Sequence, residues 1–237
     1  MSGAVRILTW NVHGGVGLDG VRDFSRIVDH IVSINPDIVA LQEVDGRARG
    51  GRTSPMRIIE DRLGHRGISA STLTAPDGEY GQLLLSRWPL VDSEILDLSV
   101  GTYEPRRAIS ATVQAPTAFL RVVAAHLGLR FGERREQIAA LCRAVDRELP
   151  TVLMGDFNVW VRYRSAQSVL ERHFADSTRL RTYPARVPLL ALDRIFCRPS
   201  GLLTRVETIT SARLLSDHLP LLAELDLNST VNSIGRH

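Results

Sequence analysis

The 237 residues carry 44% hydrophobic and 23% charged side chains, an ordinary balance for a globular protein large enough to bury a core without staples. No apolar run approaches bilayer length and the N-terminus lacks a leader pattern, so neither a transmembrane segment nor secretion is expected, and a cytoplasmic protein is. The formal charge is +3, with every basic residue other than His an Arg, which gives only weak support for a polyanionic partner; the two cysteines, Cys142 and Cys197, are expected as buried, reduced thiols.

In chain order, Arg6 to Trp10 reads as a buried strand. Asp19 is placed to cap a helix through Ile34, with Val21, Phe24, Ile27, Val28 and Ile31 as its apolar stripe. Ile38 to Leu41 is a short buried strand, followed by an Arg/Gly loop from Asp45 to Thr53. Met56 to Leu63 forms a helix stopped by Gly64. Strands are expected at Ile68–Thr74, Gln82–Ser86, Val91–Leu98, Ala108–Gln114 and Leu120–His126. A long helix, Glu133–Leu149, precedes a strand at Thr151–Met154 and a helix over Ser165–Phe174. The last strands are Leu192–Phe196, Leu203–Thr210 and Leu219–Leu227. Residues 1–228 are expected as one α/β domain, two mixed sheets packed together with helices outside, and 229–237 as a flexible tail.

Polar groups recur at the ends of the apolar strands. Asn11 follows Ile7 to Trp10, Glu43 follows Ile38 to Leu41, and His126 follows Val122 to Ala125. Asp156 and Asn158 follow Val152 to Met154, Asp193 follows Leu189 to Leu192, and Asp217-His218 precede Leu219 to Leu222. Taken singly, each has a structural explanation as a capped turn, a salt bridge to Arg194 or a bonded core histidine. A carboxylate beside a core strand without a partner costs several kcal/mol, on the order of the desolvation of a polar group. Repeating that cost at several strand ends makes sense if the groups converge on a cation.

The ordered motifs Leu8-Thr9-Trp10-Asn11-Val12-His13-Gly14, Leu41-Gln42-Glu43-Val44, Leu85-Ser86-Arg87-Trp88-Pro89, His126-Leu127, Gly155-Asp156-Phe157-Asn158, Leu192-Asp193-Arg194-Ile195 and Ser216-Asp217-His218-Leu219-Pro220 resemble those of the endonuclease/exonuclease/phosphatase superfamily. The resemblance spans Arg6 to Leu227, and Thr182-Tyr183-Pro184-Ala185-Arg186 resembles a compact bacterial subgroup. It implies a DNase-like four-layered α/β sandwich and a Mg²⁺ site, with Mn²⁺ as substitute. Hard oxygen donors independently suit that choice. His13 stands where some nuclease members carry an acid, which argues against a strict two-metal site.

Carried onto these positions, the resemblance implies Glu43, Asn11 and Asp217 as metal ligands and Asp156, Asn158, Asp193, His126 and His218 as catalytic groups. Either Asp156 or the Asp193–His218 pair is the base, and His126 is a candidate acid for the leaving group. Asn158, Arg87, Arg107 and Arg186 are candidate phosphate contacts, with Arg106 and Arg134 also weighed. Arg47, Arg49 and Arg52 are placed to close over substrate, and Trp160 and Tyr163 to stack on a base or headgroup. The expected activity is phosphodiester hydrolysis by a monomer, with nucleic acid as first substrate. A phospholipid or small-molecule phosphodiesterase or phosphatase is the alternative, because the charge is small and Val187-Pro188-Leu189-Leu190 is an apolar stretch near the site. That stretch leaves peripheral membrane contact open. A non-catalytic scaffold is the reading of another class.

Overall fold

The computed structural model describes residues 4–47, 54–145, 148–160 and 167–228. Arg49, Arg52, Tyr163 and the tail from 229 therefore lie outside the described residues. Strands β1 (Val5–Asn11) and β2 (Ile38–Asp45) flank helix α1 (Phe24–Ile34). Helix α2 (Pro55–Leu63) precedes β3 (Arg66–Ala75), β4 (Gly78–Ser86), β5 (Leu90–Asp97), β6 (Arg107–Gln114) and β7 (Phe119–His126). Helix α3 (Phe131–Ala144), β8 (Thr151–Asp156), α4 (Gln167–His173), β9 (Asp176–Ser177), β10 (Asp193–Arg198), β11 (Leu203–Thr208) and β12 (Leu221–Leu225) complete the order.

The strands form two mixed six-stranded sheets, ordered β11-β12-β1-β2-β4-β3 and β5-β6-β7-β8-β10-β9. Between them lies a core of small and branched side chains, including Ile7, Ile38, Leu84, Ile109, Val122, Met154 and Leu221. The outer face of the first sheet, with Leu8, Trp10 and Leu41, packs on Ile27, Val28 and Ile31 of α1 and Ile59 of α2. The outer face of the second, with Val123, Leu153 and Phe196, packs on Ile138 and Leu141 of α3 and Leu170 of α4. Both faces of the central strands are buried, so they read as continuous apolar runs rather than alternations. The result is the expected four-layered sandwich.

Boundaries differ from the sequence expectation in places. Helix α1 starts at Phe24 with Asp23 as its cap, not Asp19, because residues 16–22 fold back in a turn closed by a Val16–Arg22 bridge. Asp19 instead accepts from the Val21 N–H, and Val21 is half exposed. Helix α3 begins at Phe131 and closes at Val145, short of Leu149. Cys197 is buried but Cys142 is only half-buried, and neither is in a disulfide among the described residues.

Register decides where the polar strand ends meet. β1 and β2 run parallel, pairing Asn11 with Gln42, so Asn11 and Glu43 emerge at one edge. β7 and β8 run parallel, pairing His126 with Asp156. β10 runs antiparallel to β8 and starts with Asp193 opposite Asp156. β12 runs antiparallel to β1, with Leu221 opposite Thr9, which puts Asp217 and His218 just beyond that same edge.

Candidate active site

Two local distortions aim the acids. In β2 the register against β4 shifts between Leu41 and Val44, and Glu43 takes a left-handed φ of 57°. A bulge of this kind re-aims a side chain that regular pleating would send into the core. In β8, Gly155 has φ 147°, and a Cβ there would stand 1.8 Å from the Ala125 carbonyl oxygen. Only glycine allows β8 to approach β7 that closely. His13 and Asn158 also adopt positive φ, of 47° and 52°. Non-glycine residues rarely do so, and such strain clusters at functional sites.

Asp156 sits at the centre, fully buried. Its Oδ1 accepts the Asn158 N–H at 2.9 Å, and its Oδ2 accepts from Asn11 Nδ2 at 3.1 Å. The same Asn11 nitrogen donates to Glu43 Oε1 at 2.8 Å, while Asn11 Oδ1 accepts the His13 N–H at 3.0 Å. Asn11, expected as a metal ligand, therefore turns its nitrogen to the two carboxylates and spaces them. Asn158 lines the same pocket, with its Nδ2 donating to the Leu127 carbonyl at 2.9 Å.

Asp193 and His218 form a tight pair, Oδ2 to Nδ1 at 2.7 Å. The other Asp193 oxygen is buried without a hydrogen-bond partner among the described residues. Burial alone would push the His218 imidazole down, but the Asp193 charge and hydrogen bond outweigh it, with Asp156 and Asp217 adding to them. The pKa is held up at about 10. His218 Nε2 lies 3.8 Å from Asp156 Oδ2, and the Tyr183 ring covers the imidazole at 4.9 Å between centroids. Ser216 anchors this turn, donating to the Asn11 carbonyl at 2.7 Å and accepting the His218 N–H at 3.2 Å.

His126 has the opposite character. Burial pushes its pKa down to about 4, with Asp156 opposing and Arg106 and His218 adding to the fall. Arg106 Nη1 lies 3.4 Å from His126 Nδ1. A guanidinium only donates, so Nδ1 accepts and the proton resides on Nε2. That atom lies 3.7 Å from Asp156 Oδ2 and 3.9 Å from Glu43 Oε1. Burial raises the Asp156 pKa, and the Asp193 charge raises it further.

These groups line a pocket of about 570 Å³. Its polar lining includes Asn11, Glu43, His126, Asp156, Asn158, Asp217 and His218. Tyr80, Glu104 and Arg106 also line it, as do Leu129, Trp160, Tyr183, Leu190 and Leu192. Tyr80 hydrogen-bonds Glu43, and burial pushes its phenol well above its ordinary value. No sequence signal marked Tyr80; it joins the site because β4 runs antiparallel to β2 and starts at this edge.

The expected phosphate contacts scatter. Arg87 lies at the opposite end of β2, bonded to Asp37 at 3.0 Å and Asn35 at 2.6 Å. Arg107 is exposed and pairs in register with Asp97, and Arg186 is exposed outside the pocket lining. Arg47 is tied to Asp45 at 2.8 Å. Arg134 bonds the Gly128 and Leu129 carbonyls and stacks over Trp160 at 5.0 Å. Arg106 is the buried cation that reaches the pocket, held by Glu104 at 2.9 Å.

The sequence matches the model of the Endonuclease/Exonuclease/phosphatase family over residues 8–218. The uncharacterized protein YbhP of Escherichia coli K12 is 31% identical, covering 94% of this chain and 96% of that protein. An endonuclease/exonuclease/phosphatase structure from Beutenbergia cavernae superposes with a TM-score of 0.78 at 23% identity, over 95% of this chain and 72% of that one. A mannosyl-6-phosphatase of Bacteroides thetaiotaomicron superposes with a TM-score of 0.75 at 18% identity, over 93% and 99%.

Proposed function

Because the chain belongs to the endonuclease/exonuclease/phosphatase family, whose members are hydrolytic phosphoesterases and generally need a divalent metal, we propose that it is a Mg²⁺- or Mn²⁺-dependent hydrolase of a phosphodiester bond. The observation that carries this reading is the convergence of Glu43, Asp156 and Asp217 with the Asp193–His218 pair in one pocket.

The donor set fits a hard divalent ion. Glu43 Oε2 and Asp217 Oδ2 lie 3.8 and 3.7 Å from one atom, His13 Nδ1. Among the described residues no Arg pairs with either acid or with Asp156. Asp156, Asp193 and His218 also cluster, but Asp193 and His218 are spent on each other. Glu43 and Asp217 would therefore hold the ion, with Asn11 fixing the spacing of Glu43 and Asp156. When bound, it polarises a phosphoryl oxygen and offsets charge developing there.

The chain's own groups divide the remaining work. Asp156, with Oδ1 fixed and its pKa raised by burial, orients the attacking water and takes its proton through Oδ2. His218, kept protonated by Asp193, places a cation against the phosphate. His126 donates its Nε2–H to a phosphoryl or departing oxygen. Arg106 binds a phosphate oxygen from the side, pre-oriented by Glu104. Recognition then centres on one phosphate. A nucleic-acid track calls for a row of free cations, whereas Arg87, Arg106 and Arg134 are each already engaged.

A panel of plasmid DNA, abasic-site duplex, RNA, phospholipid and inositol phosphates with Mg²⁺ or Mn²⁺ tests this. Hydrolysis of at least one of the diesters is expected, with kcat for Asp156→Asn lower by about 10²–10⁴. Wild-type turnover in Asp156→Asn, no hydrolysis of any diester, or hydrolysis of the inositol phosphate monoesters alone overturns the proposal.

A further inference from the structure

The mouth of the pocket carries an apolar patch that the chemistry does not use. Leu129 is 61% exposed, Phe131 56%, Trp160 50%, Val187 61% and Leu189 60%. Leu129, Trp160 and Leu190 line the same pocket, so the 129–131 and 187–190 segments both border its opening. The second segment is braced, since Tyr183 and Leu190 form a bridge and the Leu189 N–H donates to the Tyr183 carbonyl at 2.8 Å. Such side chains are thus held outward by ordered backbone. Large apolar groups clustered around one opening mark an interaction surface.

Cations interleave with them. Arg130, between Leu129 and Phe131, is exposed and lies over the Tyr103 ring at 5.0 Å. Arg186, also exposed, precedes Val187 on the second segment. Glu104, an acid of the pocket lining, is paired with Arg106. Aromatic rings with Arg beside them and aliphatic tips beyond match the interfacial zone of a bilayer with anionic headgroups. Aliphatic tips offer nothing to the sugar–phosphate backbone of a nucleic acid.

We propose that this rim is a docking surface for an anionic phospholipid bilayer, which brings the headgroups over the pocket. Membrane contact here is peripheral, because among the described residues no helix is long and apolar enough to cross a membrane. The surface stands apart from the chemistry, so its test does not depend on turnover.

Purified full-length protein is sedimented with vesicles of phosphatidylcholine alone and of phosphatidylcholine with phosphatidylglycerol. Binding to the anionic vesicles, weakened by added salt, is expected, with a blue shift of tryptophan fluorescence that Trp160→Phe removes. The double variant Val187→Asp/Leu189→Asp, and separately Phe131→Asp, lower the bound fraction at least about tenfold with an unchanged thermal melt. Both sites are surface positions outside the pocket lining, so the fold is retained. No binding to anionic vesicles, or equal binding by the variants, overturns the proposal. So does a solution dimer, or single-stranded DNA binding, that the same substitutions abolish without any vesicle binding. Loss of phosphodiesterase activity with vesicle binding intact would count against the catalytic reading alone.

Discussion

At the scale of single residues, the site is governed by two histidines in opposite states. His218 is held protonated to about 10 by Asp193, while burial holds His126 neutral down to about 4. NMR titration of the metal-free protein is expected to show both ring signals flat between those limits. Asp193→Asn removes the charge that offsets burial, so the His218 pKa falls and kcat drops by about 10² or more. An unchanged His218 titration in Asp193→Asn would contradict that assignment. Arg106→Lys keeps the charge but loses the fork geometry, and kcat/KM is expected to fall about tenfold or more. The Asp193–His218 partnership was legible only as what the resemblance implies, because abutting an apolar strand does not say which polar group pairs with which. Arg106 and Tyr80 were harder to single out. Arg106 has a twin at Arg107, and only β6 pleating decides which one turns inward. Tyr80 stands beside no other polar motif and meets Glu43 only through strand pairing.

At the scale of elements, the site depends on a few backbone features that composition hides. Gly155→Ala adds a Cβ that meets the Ala125 backbone oxygen and must adopt φ 147°. We expect it to destabilise the protein by about 3 kcal/mol or more in urea unfolding; a near-neutral effect would show that β7 and β8 can part cheaply. The Asp23 cap of α1 is a milder case. Its side chain accepts the Ser25 N–H, and Asp23→Ala should cost about 1 kcal/mol at pH 7. The Ser25 hydroxyl chiefly holds the Asp23 pKa below 3.8. A depressed carboxylate stabilises above its unfolded value and loses that contribution as pH falls through its folded value. The wild-type advantage over Asp23→Ala should therefore shrink below about pH 4. Apolar runs made the strand interiors plain in the sequence. Helix starts were not, since Asp19 and Asp23 look equally able to cap and only the Val16–Arg22 bridge excludes the first.

At the scale of the whole molecule, each sheet supplies half of one centre. Glu43, Asn11 and the Asp217-His218 turn belong to the first sheet's edge, and His126, Asp156 and Asp193 to the second's. Face-to-face packing of the two apolar inner faces is what brings these edges together, so core packing and chemistry are coupled. The layering was readable from strands rich on both faces, alternating with two long helical stripes. The convergence was readable only as a resemblance, because no local pattern reports which strand ends are neighbours. The most direct test is hydrolysis of bis-p-nitrophenyl phosphate by wild type and Glu43→Ala, with and without Mg²⁺ or Mn²⁺. Hydrolysis that requires the ion and falls at least about 10²-fold in the variant is expected. Equal rates in wild type and Glu43→Ala, or rates indifferent to chelation, would contradict a metal-dependent phosphoesterase built on this edge.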